Sequence, residues 1–316
     1  MAETRENERY LEGVRLPDRL KIRALGGRDD QFHRADLVFL AVPGAGVSAA
    51  IEELTRQGVA PHTGVVSLTK GLVPPDGTPP TIALEEAFGP ERVACVGGPA
   101  HAREMVEGGA GLICASHSSA LADRVADVFR AGRIVCEATT DPVGVELAGC
   151  AKNAAALAAG ATEAQGLNAA GMAASDIFGE VVALAEATGG RARTFLGRAG
   201  TGDLVATALA PSSRNRSAGE LLAKGVPAAE IPERLGQAVE ALETVALLAR
   251  AIERAGISAP ITSALARLIE GTLPLDEWVA LVRVSQPDTR RRGRAGGWWR
   301  RLRGRLRGWF SGPRGT

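Results

Sequence analysis

Five short apolar runs, bounded by turn residues, constrain the fold of the first half of the chain more than any other feature. They are DLVFLAVP, GVVSLTKG, RVACVGG, AGLICAS and RIVCEA, between residues 36 and 138. Their continuous apolar character is typical of parallel strands that are buried on both faces. Helical patterns lie between several of them, at GVSAAIEELTRQG, TIALEEAFG and SALADRVADVFRAG. This alternation predicts a doubly wound α/β domain, preceded by a polar opening without strand or helix periodicity.

After about Asp141 the strand patterns end and helical spacing takes over. Four segments carry it: VGVELAGCAKNAAALAAG, MAASDIFGEVVALAEATGG, AVEALETVALLARAIERAG and ITSALARLIEG. Each ends near a glycine, as helices commonly do. We therefore predict an α/β domain over residues 1–140, an all-α domain over 141–283 and a linker with a tail over 284–316. In this arrangement a ligand is expected between the first two domains, at the carboxyl ends of the strands.

The cysteines and the chain ends indicate a cytoplasmic protein without a metal site. Cys95, Cys114, Cys136 and Cys150 have no paired spacing that suggests zinc or a redox motif, so they are interpreted as reduced thiols, three of them in apolar runs. Neither end resembles a secretory signal. No apolar run reaches the roughly 18 residues of a membrane span.

The near-neutral net charge of +1 hides a strongly basic C-terminal segment. Residues 281–316 hold eleven arginines and one aspartate, a net charge of +10, which leaves −9 for residues 1–280. On a helix, six residues of this tail fall within one arc of about 120°: Trp298, Trp299, Leu302, Leu306, Trp309 and Phe310. Such a basic amphipathic helix is typical of a membrane-surface anchor. Single-stranded nucleic acid is a rival partner, and a disordered solubilising tail is the simplest alternative.

Three strand ends carry candidate ligand-binding residues. After DLVFLAVP, the turn Gly44-Ala45-Gly46-Val47-Ser48-Ala49 matches a G-x-G-x-x-A dinucleotide turn. The carboxylate expected at the end of the next strand is absent, because Thr69 and Lys70 stand there, so a tight strand-to-helix turn is the alternative. Lys70 itself is placed to reach the cleft, or is a solvated loop lysine. GGPAHA at 97–102 offers backbone amides to a ligand, and its His101 is either an acid–base group or merely solvated.

One lysine stands in an otherwise small and apolar helical run, ELAGCAKNAAALAAG. A buried lysine is rare unless it is paired, because removing water from an ammonium group is costly. The alternative is that Lys152 lies on an exposed stripe and extends to water.

The segment GTGDLVATALAPSSRNRSAGELL is the most informative of the helical half. Asp203 precedes a helical pattern and is predicted to cap it, or to serve a site. Ser212-Ser213-Arg214-Asn215-Arg216 precedes another helix. Hydroxyl, amide and guanidinium groups at a helix N-terminus are typical of a phosphate-binding site, with an ordinary helix cap as the alternative.

In combination, these segments resemble the NAD(P)-dependent glycerol-3-phosphate dehydrogenase family of bacteria. The matching pieces span residues 4 to about 270: RENERYLEGVRLP, ADLVFLAVP, SLTKG, GGPAHARE, VELAGCAKN, GRAGTGDLVAT, SSRNR, GQAVEALET and APIT. The resemblance implies a Rossmann-like dinucleotide-binding domain followed by an all-α domain. It also implies hydride transfer between NADP or NAD and the pair dihydroxyacetone phosphate and sn-glycerol 3-phosphate, which feeds glycerophospholipid synthesis.

The resemblance also implies residue roles. Lys152 is the general acid and base, and burial among alanines agrees with this because it lowers the pKa of a lysine towards the working range. Asp203 orients its ammonium group. The remaining positions match substrate contacts at Lys70, Gly98, Ala100, Asn153, Ser213, Arg214 and Asn215, and cofactor contacts at Lys70, Ala102, Arg214, Ala238 and Glu240.

Several positions depart from the family pattern. Ala100 stands where Ser or Thr is usual, and Ala241 and Glu243 replace a usual Gly and Arg. Family members carry a strand, a G-x-G-x-x-G loop, a helix and a second strand before the segment that begins here at Thr4. We therefore expect an N-terminally truncated sheet with an exposed edge strand. A catalytically silent paralogue that binds a ligand or a membrane surface is the alternative function. A homodimer is a further expectation, while the choice between NADH and NADPH does not follow from the sequence.

Overall fold

The computed structural model describes residues 1–24, 31–210 and 213–285. Met1–Arg283 form one compact unit, and Val284–Thr316 belong to a second. Within the first unit the secondary structure changes from mixed α and β to all α between Thr139 and Pro142. The predicted domain boundaries at residues 140 and 283 stay predictions.

Among the described residues, strands occur only up to Thr139. They are β1 (Glu6–Asn7), β2 (Leu11–Arg15), β3 (Leu37–Leu40), β4 (Gly64–Ser67), β5 (Val93–Gly97), β6 (Gly111–Ala115) and β7 (Val135–Thr139). The last five form one sheet in the order β3-β4-β5-β6-β7. All five apolar runs of the sequence are thus strands of a single sheet, and the α/β prediction is confirmed.

Among the described residues, five α-helices precede or connect the strands of the sheet and nine follow its last strand. They are α1 (Gln31–Arg34), α2 (Val47–Gln57), α3 (Pro80–Phe88), α4 (Ala102–Glu107), α5 (Ser119–Ala131), α6 (Pro142–Thr162), α7 (Leu167–Ala187), α8 (Ala192–Phe195), α9 (Asp203–Leu209), α10 (Arg214–Ala223), α11 (Ile231–Arg234), α12 (Glu240–Arg254), α13 (Pro260–Ile269) and α14 (Leu275–Val284). The prediction of an all-α region after residue 141 is confirmed.

The sheet departs from the parallel plan at one pair of strands. β3–β4, β4–β5 and β6–β7 are parallel, whereas β5 and β6 are antiparallel. The connection between them contains only the six-residue α4. The chain therefore reverses its direction, and β6 runs antiparallel beside β5. Among the described residues β3 pairs only with β4, so it forms the edge of the sheet, as expected from the sequence.

Apolar side chains on the two faces of the sheet pack into separate clusters. On one face, Val66, Ala94 and Leu112 pack against α5. On the other, Val65 and Val93 pack with Leu54 of α2 and Leu84 of α3. Burial on both faces explains why these strands are apolar throughout.

The polar opening of the chain forms a hairpin that the sequence pattern did not indicate. β1 and β2 are antiparallel, and their side chains are exposed or half-buried. A strand without a buried face shows no alternation of apolar residues, which is why periodicity missed it. Arg103 of α4 donates to the carbonyl oxygen of Glu12 and so connects this hairpin to the α/β region.

α6 is the central helix of the all-α region. All but two of its 21 residues are buried, and Asp141 caps its N-terminus by accepting from the Gly144 amide. Alanine and glycine residues of α6 and α10 let neighbouring helices approach closely. A Cβ at Gly160 would lie 2.1 Å from the Arg216 carbonyl oxygen, and one at Gly219 would lie 2.1 Å from that of Leu157. α10 therefore crosses α6 at backbone contact, which brings its N-terminus towards the middle of α6.

One described helix, α7, is long and apolar enough to cross a membrane by the criteria of length and composition. Core helices of water-soluble proteins meet the same criteria. Ala173, Ile177 and Val181 of α7 are fully buried in the cluster that surrounds α6, so α7 is a packing helix of the compact unit.

Candidate functional site

The candidate site lies where the carboxyl ends of β3, β4 and β5 meet α6, α9, α10 and α12. A cleft of about 460 Å³ opens at these strand ends, and α12 is the helix that lines it. Its walls are Ala41, Val42, Pro43, Gly44, Leu68, Lys70, Gly71, Leu72, Ala100, Glu240, Glu243, Thr244 and Leu247. This is the position that the order of secondary structure predicted for a ligand.

Lys70 lines the cleft and belongs to the segment after β4. Its Nζ donates to Oδ2 of Asp203 at 3.0 Å and to the carbonyl oxygen of Gly98 at 3.2 Å. The side chain keeps 28% of its surface exposed. The ammonium is therefore held by two acceptors and still faces the cleft, so it is not merely a solvated loop lysine.

Lys152 lies in the middle of α6 and is buried, with 9% of its side chain exposed. The interpretation that it extends to water is wrong. Its Nζ lies 3.6 Å from Oδ1 of Asp203 and donates to the hydroxyl of Thr207 at 3.3 Å. Burial lowers the pKa of Lys152, and the nearby charge of Lys70 lowers this pKa further, while Asp203 and Glu240 act in the opposite direction.

Asp203 is shared by the two lysines. It is the first residue of α9, with Gly202 rather than Asp203 at the N-cap, so the capping interpretation is wrong. A five-residue π turn, Arg198–Gly202, precedes it and places the carboxylate inside the protein, where 1% of the side chain is exposed. Oδ1 is buried without a hydrogen-bond partner in the described part of the chain, so the pair with Lys152 is electrostatic. One buried carboxylate thus faces two ammonium groups.

Asn153 begins a polar network that connects α6, α10 and α12. The side chain is fully buried. Its amide donates to Oε2 of Glu240 at 3.2 Å, and its oxygen accepts from the Asn215 amide at 2.9 Å. Asn215 in turn accepts from the Ala241 amide. The close crossing of α6 and α10 makes this network possible.

The N-terminus of α10 carries the predicted phosphate-binding residues. Ser213 caps the helix by accepting from the Arg216 amide. Arg214 is exposed and donates to the carbonyl oxygen of Ala238. Ser213, Arg214 and Asn215 therefore stand together at a helix N-terminus, although a role for them in binding phosphate stays a prediction.

The remaining predicted residues are distributed around this site. Gly98 follows β5, is buried and offers its carbonyl oxygen to Lys70. Ala100 lines the cleft, while Ala102 begins α4 and is exposed. Ala238 is exposed beside Arg214, and Glu240 begins α12 at the cleft wall.

Two further candidates of the sequence analysis stay predictions. In the Gly44–Gly46 turn, the Gly46 amide donates to the carbonyl oxygen of Pro43 and the Val47 amide to that of Gly44, while Gly44 itself lines the cleft. His101 is exposed, 3.5 Å from Glu104. The candidate tail residues Trp298, Trp299, Leu302, Leu306, Trp309 and Phe310 lie outside the described residues.

Thr207 is a site residue that the sequence analysis missed. It lies four residues after Asp203 on α9 and is buried. Residues four apart on a helix share a face. Once Asp203 was a candidate, that spacing was the available signal.

Two family models match the chain. The model described as NAD-dependent glycerol-3-phosphate dehydrogenase N-terminus matches residues 1–122, and the model of the C-terminus matches residues 141–280. The chain belongs to the NAD-dependent glycerol-3-phosphate dehydrogenase family.

Individual glycerol-3-phosphate dehydrogenases agree with this membership. The chain is 37% identical to the glycerol-3-phosphate dehydrogenase [NAD(P)+] of Parafrankia sp. over 85% of this chain and 82% of that protein. It is 32% identical to the enzyme of the same name from Methylibium petroleiphilum over 92% and 87%. The crystal structure of glycerol-3-phosphate dehydrogenase from Coxiella burnetii superposes with a TM-score of 0.81 at 26% identity, covering 90% of this chain and 87% of that one.

The lining of the cleft is compatible with a ring of the family's dinucleotide cofactor. Val42, Pro43 and Leu72 contribute apolar surface, which a flat ring requires. Lys70 and Glu240 supply polar groups. The residues present therefore fit such a group.

Proposed function

We propose that this chain is an NAD(P)-dependent oxidoreductase that interconverts dihydroxyacetone phosphate and sn-glycerol 3-phosphate. The proposal rests above all on one observation: a buried lysine, Lys152, shares the Asp203 carboxylate with Lys70 beside a cleft at the strand ends. The relatives are glycerol-3-phosphate dehydrogenases [NAD(P)+], and this supports the proposed reaction. A catalytically silent protein is not favoured, since a buried charged cluster is costly to retain without a use.

Lys152 is the proton donor to the substrate oxygen during reduction and the proton acceptor during oxidation. The nicotinamide supplies or accepts the hydride. Because burial and Lys70 lower the pKa of Lys152, its ammonium gives up a proton more readily than that of a solvated lysine. Asp203 and Thr207 orient the ammonium.

The other polar groups bind and orient the substrate. Lys70 presents a positive charge to the cleft and stabilises negative charge that develops on the substrate oxygen. Asn153 contributes an amide whose orientation is fixed by Glu240 and Asn215. Ser213 and Arg214, with Asn215, bind the phosphate at the N-terminus of α10.

The test is the substitution Lys152→Ala in the full chain. Turnover is followed by loss of the absorbance of reduced nicotinamide with dihydroxyacetone phosphate and NADH or NADPH. Removal of a general acid should lower kcat by at least about 100-fold. The matched control is Lys224→Ala, because Lys224 is an exposed lysine at the end of α10. Turnover of Lys152→Ala within a few-fold of the unsubstituted protein would refute the assigned mechanism.

Two statements on partners are proposals from the sequence alone. We propose cytoplasmic localisation with peripheral contact of the basic tail to anionic membranes, and pairing of two chains. Co-sedimentation with vesicles that contain phosphatidylglycerol, compared with Trp298→Ser/Trp299→Ser, tests the first. Light scattering of the purified chain tests the second. A tail that binds single-stranded nucleic acid instead would contradict the membrane proposal.

A further inference from the structure

We propose that Glu146 is a positioning residue, which fixes the segment that carries Lys70 against the helix that carries Lys152. This segment, residues 68–79, connects β4 to α3 and is called the Lys70 segment below. The inference rests on the proposed function only in its statement that Lys70 and Lys152 act on a substrate. The structural part of the proposal stands independently of it.

Glu146 binds the point at which the Lys70 segment ends. Its carboxyl group is buried and accepts from the Thr81 amide at 3.1 Å with both oxygens, and from the Thr81 hydroxyl at 2.5 Å. Thr81 is the second residue of α3. A carboxyl group at a helix N-terminus satisfies an amide that has no partner within the helix. Glu146 therefore anchors the far end of the segment to α6.

The same face of α6 contacts the segment a second time, next to Lys70. Glu146, Cys150 and Asn153 are four and three residues apart and so share a helix face. Cys150 is fully buried in the apolar cluster that also contains Leu72, two residues after Lys70. The helix α6 thus binds the end of the Lys70 segment at Thr81 and shares an apolar cluster with Leu72, while Asn153 contacts the cleft wall through Glu240.

Lys70 depends on this anchoring because its own contacts cross to other elements. Its ammonium lies between Asp203 of α9 and the carbonyl oxygen of Gly98 after β5. If the segment shifts relative to α6, the spacing of Lys70 and Lys152 around Asp203 changes. Misplacement by about 1 Å through a distant substitution can cost about 100-fold in rate.

Glu180 offers a matched control within the same protein. It accepts from the amides of Ile261 and Thr262 and from the Thr262 hydroxyl, at the N-terminus of α13. The chemistry is that of Glu146 and Thr81, but these contacts join α7 to α13. A purely structural role of Glu146 should therefore be reproduced by Glu180.

The experiment compares Glu146→Ala, Glu146→Gln and Glu180→Ala in the full chain. The readouts are kcat and KM for dihydroxyacetone phosphate, and the hydrogen exchange of residues 70–81. In Glu146→Ala we expect kcat to fall by about 10- to 100-fold, KM to change less, and amide exchange in this segment to rise. In Glu146→Gln we expect kcat within about 3-fold, because the amide oxygen still accepts from Thr81. Burial raises the pKa of Glu146 to about 8, so a neutral glutamine is a close substitute near pH 7.

In Glu180→Ala we expect lower thermal stability with kcat and the exchange of residues 70–81 unchanged. Equal losses of kcat in the two alanine variants, after correction for the folded fraction, would overturn the proposal, as would unchanged exchange of residues 70–81 in Glu146→Ala. If Glu146→Ala does not fold, Thr81→Val replaces it. This variant removes only the hydroxyl donor and keeps the amide contacts, so we expect kcat to fall by about 3- to 10-fold and exchange to rise less, and no change in either would overturn the proposal. Absence of turnover in the unsubstituted protein would refute the proposed function, and the exchange comparison would then decide on Glu146 alone.

Discussion

Replacement of Asp203 by asparagine tests the electrostatics of the site most directly. The substitution keeps the shape of the side chain and removes the one carboxylate that faces both lysines. Lys152 is then a buried ammonium whose remaining described hydrogen-bond partner is Thr207. Lys70 is 28% exposed and can turn towards water, so the main cost falls on Lys152.

The expected loss of stability follows from this burial. Removal of one partner from a buried ion pair costs about 3–5 kcal/mol. The Lys152–Asp203 distance of 3.6 Å is longer than that of an optimal pair, so we expect a loss of about 3 kcal/mol at pH 7. The pKa of Lys152 is already below its usual range, and loss of Asp203 lowers it further because an attractive charge is removed.

The sign of the pH dependence follows from this lowered pKa. Between the folded pKa and the higher unfolded pKa of Lys152, the unfolded chain binds more protons, so the stability of the folded protein rises with pH. At higher pH the unpaired ammonium of the variant loses its proton. The destabilisation by Asp203→Asn is therefore largest near neutral pH. It decreases as the pH approaches the pKa of a lysine in water, about 10.4.

Urea unfolding at several pH values between 7 and 10 measures these effects. Lys152→Met provides the second arm of a double-mutant cycle, because on this background the buried charge is gone. We expect Asp203→Asn to cost about 1–3 kcal/mol less on that background than alone. Asp127→Asn, which removes an exposed pair with Arg130, is the control and should leave the midpoint unchanged. Equal costs of Asp203→Asn with and without Lys152, or a loss that does not vary with pH, would refute this account.

Two further substitutions test neighbouring parts of the site. Gly98→Ala should destabilise by about 1–3 kcal/mol in thermal unfolding, because Gly98 has φ +106° and a Cβ would lie 2.6 Å from the Gly111 carbonyl oxygen. Gly89 also has a positive φ, but a Cβ there would meet no atom within 4 Å, so Gly89→Ala should lower the thermal stability less. Equal losses of stability in the two variants would contradict the steric reason. Thr207→Val should lower kcat by about 10-fold, because it removes the hydroxyl that accepts from Lys152 and leaves that donor unsatisfied. An unchanged kcat would show that Thr207 does not orient the ammonium.

The sequence predicted the elements of the fold better than their directions. Buried strands and long amphipathic helices follow from apolar patterns, because burial dictates residue type along the whole element. The direction of β6 does not follow from such a pattern, because an apolar strand has the same pattern in both orientations. The connection before β6 determines its direction. The hairpin β1–β2 has no buried face, and therefore left no pattern to detect.

The candidate site shows the same limit at the level of side chains. The sequence marked Lys70, Lys152 and Asp203 individually, and the resemblance assigned their roles. The sequence could not show that one carboxylate faces both lysines, because Lys70 and Asp203 are 133 residues apart and meet only in the folded protein. Thr207 and Glu146 were missed as site residues for a similar reason: each is an ordinary helix residue until its partner on another element is known.

The sharing of Asp203 by two lysines gives a physical reason for the acid and base role that we propose for Lys152. A lone lysine among alanines would lose its proton, because burial disfavours the ammonium. A lysine in an isolated pair with a carboxylate would instead hold its proton too firmly to donate it. Burial lowers the pKa of Lys152, and Lys70 lowers it further by offsetting part of the attraction of Asp203. In the proposed reaction we therefore expect Lys70 to act in two ways, through its contact with the substrate and through the proton affinity of Lys152.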